Sequence, residues 1–141
     1  MTLELQATPE EVMRAVETLE QFARANGVPE KTVFGLMLAL EECGSNIVNH
    51  GLHRDARKKF QVTIDQKHDG FVIELRDRGQ AFDPTKAPER KPPTENEVPG
   101  GWGIQLVRSH IDEMHYRRVD GQNILRLVKH VNVSGNRQSR S

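Results

Sequence analysis

The chain has one cysteine, Cys43, in 141 residues. A lone cysteine excludes an intramolecular disulfide and fits a reducing compartment. Net charge is missing as well, because twenty basic side chains balance twenty acidic ones. Without a large basic field, nucleic acid is not an expected partner. No apolar run reaches the roughly 18 residues needed to cross a bilayer, so no membrane span is expected. The opening "MTLELQATPEE" lacks a basic region and an apolar signal core, and a cytoplasmic location is the expectation. Internal repeats and coiled-coil heptads are absent too. What remains is a chain of ordinary domain length, able to bury a core.

The periodicities that are present divide it. "LELQA" (3–7) alternates apolar and polar, as a half-buried strand does. Thr8 then stands as an N-cap, with Pro9 at the first helical position and acids in the first turn. Val12, Val16, Leu19 and Phe22 recur at helical spacing until Gly27 and Pro29. A second helix is predicted from Glu30 to His50, with Gly51 as its C-cap. "KFQVTIDQ" (59–66) and "FVIELRDRG" (71–79) read as strands joined by the hairpin signal "KHDG". Residues 84–99 hold five of the seven prolines and read as a lid or linker. A helix should then start at the glycine cluster, and "HYRRV" and "NILRLVKHV" should close the chain around "DGQ". The order β-α-α-β-β-lid-α-β-β implies an α/β fold, a two-layer sandwich with helices on one face of a mixed sheet. The domain should span 1–133, followed by a flexible tail, 134–141.

Three stretches carry chemistry. In "EECGSNIVNHG" (41–51), helical spacing stacks Glu42, Asn46 and His50 on one side and buries Val33, Leu36, Leu40, Cys43 and Ile47. Glu41 lies about 100° away and should be solvated. Glu42, near the end of a core-packed helix, could carry a raised pKa and act as a general base. Asn46 offers the neutral oxygen that a water-rich Mg²⁺ shell accepts. Read alone, the stretch is equally a polar helix end. In "LRDRGQAFDP" (75–84), Asp77 at a strand end can accept but not donate, which suits an exocyclic amino group such as adenine's. Gly79 would let the backbone approach the ring, and the alternative is a plain turn. In "PGGWGIQL" (99–106), glycines at a helix start can aim N–H groups at phosphate, or simply form a hinge. No Gly-Lys-Ser/Thr follows, so it is not a P-loop.

In this order and spacing the three stretches resemble the N, G1 and G2 boxes of the GHKL (Bergerat-fold) ATPases, over roughly residues 5 to 130. Within that superfamily, "E-x-x-x-N-x-x-x-H-G" and "D-x-G-x-x-F-D" are similar to the anti-sigma-factor serine/threonine kinases of bacterial partner-switching systems. The resemblance implies Glu42 as base, Asn46 as the Mg²⁺ ligand, Asp77 on the adenine amino group with Gly79 beside it, and Gly101 and Gly103 at the phosphates of ATP. His50 would lie at the phosphate end, or else cap its helix as a cation. The implied partners are a small anti-sigma-factor antagonist, which is phosphorylated, and a sigma factor; family members are often homodimers.

Two positions depart from the family pattern. Asn123 stands where a threonine commonly lies near the adenine-binding aspartate, so that contact is either replaced or lost. Trp102 stands among the phosphate-site glycines, where smaller residues are usual. These departures keep a second reading open, a nucleotide-dependent binding module with weak or no kinase activity. A detached histidine-kinase ATP-binding domain is a third, disfavoured because no upstream helical hairpin bears a phosphoacceptor histidine. His68, His110, His115 and His130 form no ligand cluster with cysteine or acids, and no metal site is expected there. "NVS" (132–134) matches a glycosylation pattern but lacks a secretion context.

Overall fold

Thr8 starts the first helix as its position predicts. Its side chain accepts the Glu11 N–H at 3.2 Å, with Pro9 at the first turn and Glu10 and Glu11 complementing the helix dipole. The same helix ends in a Schellman turn: Val28 N–H bonds the Ala23 carbonyl, Gly27 N–H bonds that of Arg24, and Gly27 takes φ 75°. A computed structural model describes residues 1–86 and 103–131 of the chain. In it the elements run β1 (Thr2–Gln6), α1 (Pro9–Ala25), α2 (Glu30–Asn46), β2 (Lys59–Lys67), β3 (Gly70–Asp77), α3 (Gly103–His110), β4 (Glu113–Val119) and β5 (Gln122–His130). Most of the expected lid, 87–99, lies outside the described residues, as do Gly101, Trp102 and the expected tail.

The five described strands form one sheet in the order β1-β2-β3-β5-β4. Every pairing is antiparallel, which corrects the mixed sheet expected from the element order. The reason lies in the last hairpin. β3 and β4 run parallel, but β4 turns back through Asp120 and Gly121 and its partner β5 lies between them. The two parallel strands never meet.

One face of this sheet is apolar. Leu5 pairs with Phe60, Val62 with Leu75 and then Leu125, and Ile64 with Ile73 and then Leu127, all buried. The alternate positions Gln61, Thr63, Glu74 and Arg126 point the other way, as a strand period of two requires. Val12, Val16 and Leu19 of α1 and Val33, Leu36, Leu40 and Cys43 of α2 cover the apolar face. This is the expected two-layer sandwich.

The predicted α2 is too long. The α-helix stops at Asn46, and Ile47–Gly51 form a π-helical turn in which Leu52 N–H reaches back to the Ile47 carbonyl at 2.8 Å. Gly51 is therefore not a left-handed C-cap. π-turns often mark functional sites, and this one carries Asn49, His50 and Gly51.

Candidate active site

Asp77 ends β3 directly opposite Asn123 of β5. Both are polar, and both are only 5% exposed. Buried polar groups need partners, and these find one another: Asn123 Nδ2 donates to Asp77 Oδ1 at 3.0 Å. The same oxygen accepts the Gly79 N–H at 2.8 Å. Backbone crowding explains the two glycines here. A Cβ on Gly79 would lie 2.1 Å from the Gly51 carbonyl oxygen, and one on Gly51 would lie 3.3 Å from Asp77 Oδ1. Gln80 N–H also bonds the Gly51 carbonyl at 3.0 Å, which ties the π-turn to the end of β3. The pocket above Asp77 is walled by Ile47, Leu75, Leu125, Phe82 and Pro84, with Asn46 on its rim. Apolar walls around one open carboxylate oxygen suit a flat base with an amino group.

Glu42 and Asn46 sit one turn apart near the end of α2. Asn46 lies beside the Glu42 carboxylate, and Glu41 is exposed as its rotation predicts. Burial raises the Glu42 pKa above the ordinary carboxylate value, and the charge of Glu41 adds to this. The His50 charge and the polar Asn46 amide pull the other way. The carboxylate lies flat against the start of α3: a Cβ on Gly103 would meet Glu42 Cδ at 1.9 Å. Only glycine leaves that carboxylate its place. On its outer side Glu42 opens into a groove between α2 and α3, lined by Leu38, Glu41, Ser45, Gly103 and Leu106. So the Glu42–Asn46 pair stands between two spaces, the apolar pocket and the groove.

The donors fit Mg²⁺ and ATP. The Asn46 amide, on the pocket rim, carries a neutral carbonyl oxygen of the kind a hard cation accepts. Among the described residues no three acidic, histidine or cysteine side chains gather as a metal cage.

Of the residues singled out from sequence, Asp77 and Gly79 gather at the pocket floor, Glu42 and Gly103 at the groove. His50 lies in the π-turn, and its ring stacks on Phe82 at 5.5 Å and 25°. Three partners escaped sequence reasoning. Tyr116 and Arg118 of β4 both donate to Asn123 Oδ1, and Arg108 of α3 donates to the Thr85 carbonyl at 2.6 Å. Strand alternation could have turned Tyr116 and Arg118 inward or outward, but nothing local says which residue they meet. The lost-contact alternative at Asn123 is resolved: the contact to Asp77 is present.

The sequence model of the histidine kinase-like ATPase domain matches residues 5–129. The serine/threonine-protein kinase BtrW of Bordetella bronchiseptica is 31% identical over 131 residues, covering 92% of each chain. The serine-protein kinase RsbW of Oceanobacillus iheyensis is 27% identical over 118 residues, 79% of this chain and 75% of that one. The solved RsbU and RsbW domains of Rv1364c from Mycobacterium tuberculosis superpose over 93% of this chain and 32% of that one, with a TM-score of 0.66 at 18% identity. The SiaB–SiaC complex of Pseudomonas aeruginosa gives 0.60 at 12% identity, over 94% of this chain and 89% of that one. The last two are likenesses of fold.

Proposed function

The chain belongs to the histidine kinase-like ATPase family, on its serine/threonine-protein kinase side, and from that premise we propose that it phosphorylates a small anti-sigma-factor antagonist in a bacterial partner switch. ATP would lie with its base over Asp77 and its phosphates toward Asn46 and the start of α3. The acceptor serine or threonine would enter from the α2–α3 groove. One observation carries the reading: the Glu42 carboxylate, raised in basicity by burial, lines the α2–α3 groove one helical turn from Asn46 on the pocket rim.

The residues then act as follows. Glu42 accepts the proton of the hydroxyl as its oxygen bonds the γ-phosphorus, and the bond from that phosphorus to the bridging oxygen of ADP breaks. Asn46, beside the Glu42 carboxylate, would hold Mg²⁺ through its carbonyl oxygen. Bound Mg²⁺ would supply charge neutralisation on the phosphates. His50 and Phe82 form a stacked wall at the pocket mouth. Gly101 and the 84–99 lid belong to the same proposal, on the family resemblance and on composition. So do a sigma factor as second partner, a homodimer, and a cytoplasmic location. No described helix is long and apolar enough to cross a membrane.

Three alanine variants test the assignment. Glu42→Ala should lower phosphotransfer to the antagonist by about 10²–10⁴-fold and leave Mg-ATP affinity nearly intact. Asn46→Ala should weaken metal-dependent ATP binding itself, and Glu41→Ala should alter neither. A wild-type protein that binds nucleotide and antagonist yet transfers no phosphate would turn the reading into a nucleotide-dependent binding module.

A further inference from the structure

We infer that Asn123, which lines the pocket, sets the preference for adenine without hydrogen-bonding the base, by holding Asp77 in the one orientation that presents its second oxygen. The inference rests on the nucleotide reading of that pocket and adds a residue, with its support, to it.

A carboxamide has two hydrogens to donate and two lone pairs to accept with. The hydrogens of Asn123 go to Asp77 Oδ1 at 3.0 Å and to the Gln80 carbonyl at 2.9 Å. Its oxygen accepts from the Tyr116 hydroxyl and from Arg118, the latter at 2.9 Å. Nothing is left over for a ligand. Nor can the amide be turned round, because a carboxylate and a carbonyl only accept while a guanidinium only donates. Arg118 also donates to the Gly79 carbonyl at 3.1 Å, so the Gly79–Gln80 turn is held from the same side.

Asp77 is the beneficiary. Its Oδ1 is enclosed by Asn123, the Gly79 N–H and Gly51. No described residue bonds Oδ2. Among the described residues no sealed side-chain oxygen lacks a partner, so Oδ2 is not sealed off, and Asp77 lines the pocket. An acceptor fixed in this way welcomes the amino group of adenine and repels the carbonyl that guanine carries there. Were Asp77 free to rotate, it could turn away from guanine at little cost, and discrimination would fall. Asn123 is thus a positioning residue.

The test compares two substitutions of equal shape in the full chain, Asn123→Thr and Asn123→Val, by ATP and GTP affinity. Threonine keeps one donor for Asp77 and should hold the ATP/GTP affinity ratio within about threefold of wild type; valine should lower it about tenfold, a shift of one decade in Kd. A wild-type ratio in the valine variant would overturn the inference. So would equal loss of both nucleotides, since a merely structural role weakens binding without changing the ratio. If the valine variant fails to fold, Tyr116→Phe removes one of the two donors on Asn123 Oδ1 and should lower the ratio by about threefold; an unchanged ratio overturns the inference there too. The nucleotide reading fails separately: wild-type protein with no preference for ATP removes Asp77 and Asn123 together. A preference lost in Asp77→Asn but kept in Asn123→Val removes Asn123 alone.

Discussion

At the scale of single residues, Glu42 is asked to be two things at once. Burial makes its carboxylate a better base and also makes its charged form costly. A carboxylate whose folded pKa is raised holds its proton more tightly in the folded than in the unfolded chain. At neutral pH its ionised form therefore opposes folding, and stability is gained as pH falls through the folded pKa. Glu42→Gln keeps the shape and removes the charge. It should raise Tm at neutral pH while lowering transfer about 10²–10⁴-fold, and the Tm advantage should shrink as the pH is lowered. Thermal melts of the two proteins across pH 4–8 decide it; a Gln variant less stable than wild type at pH 7 would contradict the account. Gly103→Ala asks a different question of the same carboxylate. The added methyl meets the end of a flexible side chain, so the fold should survive and Glu42 should swing into the groove. The pH–rate profile of transfer should then move its acid limb toward the ordinary carboxylate range. An acid limb left where wild type has it would show that Gly103 does not seat the base.

Elements differ in how much of them local sequence dictates. α1 was legible from end to end, because Thr8, Pro9 and Gly27 are local signals that act within one turn. The buried stripe of α2 was legible for the same reason: Val33, Leu36, Leu40, Cys43 and Ile47 all lie inside. Its last turn was not. Local periodicity carries an α-helix on to His50, whereas the chain widens at Ile47 so that the Gly51 carbonyl can reach Gln80 N–H. That demand comes from β3, 29 residues further on, and no local pattern contains it. Asp77 and Gly79 could be read as a site, but the amide network behind them could not, since it joins β3 to β4 and β5. The contact between π-turn and β3 yields a ranking. Gly79→Ala drives a methyl onto a backbone oxygen and should cost about 1–3 kcal/mol, the usual toll of overpacking. Gly51→Ala meets Asp77 Oδ1 at 3.3 Å and should cost less. Urea denaturation of both variants checks the order, and a Gly51 variant as unstable as the Gly79 one would contradict it.

For the molecule as a whole, the proposed nucleotide pocket joins parts far apart in sequence: Asn46 and Ile47 at the end of α2, Leu75 and Asp77 on β3, Tyr116 on β4, Asn123 and Leu125 on β5. A ligand that binds only when these are assembled stabilises the whole fold by mass action. At a free concentration 100 times its Kd, an ATP analogue should add about 2.7 kcal/mol. GTP at the same concentration should add much less. Calorimetric melts with each nucleotide measure this, and equal shifts from ATP and GTP would remove Asp77 from base selection. The two hairpins were visible in "KHDG" and "DGQ", which are turn sequences. The insertion of β5 between β3 and β4 was not, because it is settled by which strands bury their apolar faces together.

The pairing of Asp77 with Asn123 has a consequence for how the chain is made. A sheet slipped by one residue turns every side chain of the slipped strand to the opposite face. A β5 displaced by one position would set Ile124 or Gln122 opposite Asp77 and leave its carboxylate without the amide. Such a misassembled sheet would turn Leu125 and Leu127 away from the core and Arg126 into it, and on the proposed reading it would lose the base site as well. ATP in the cell would then act as a proofreader of strand alignment, stabilising newly synthesised chains only after β5 has found its correct neighbours.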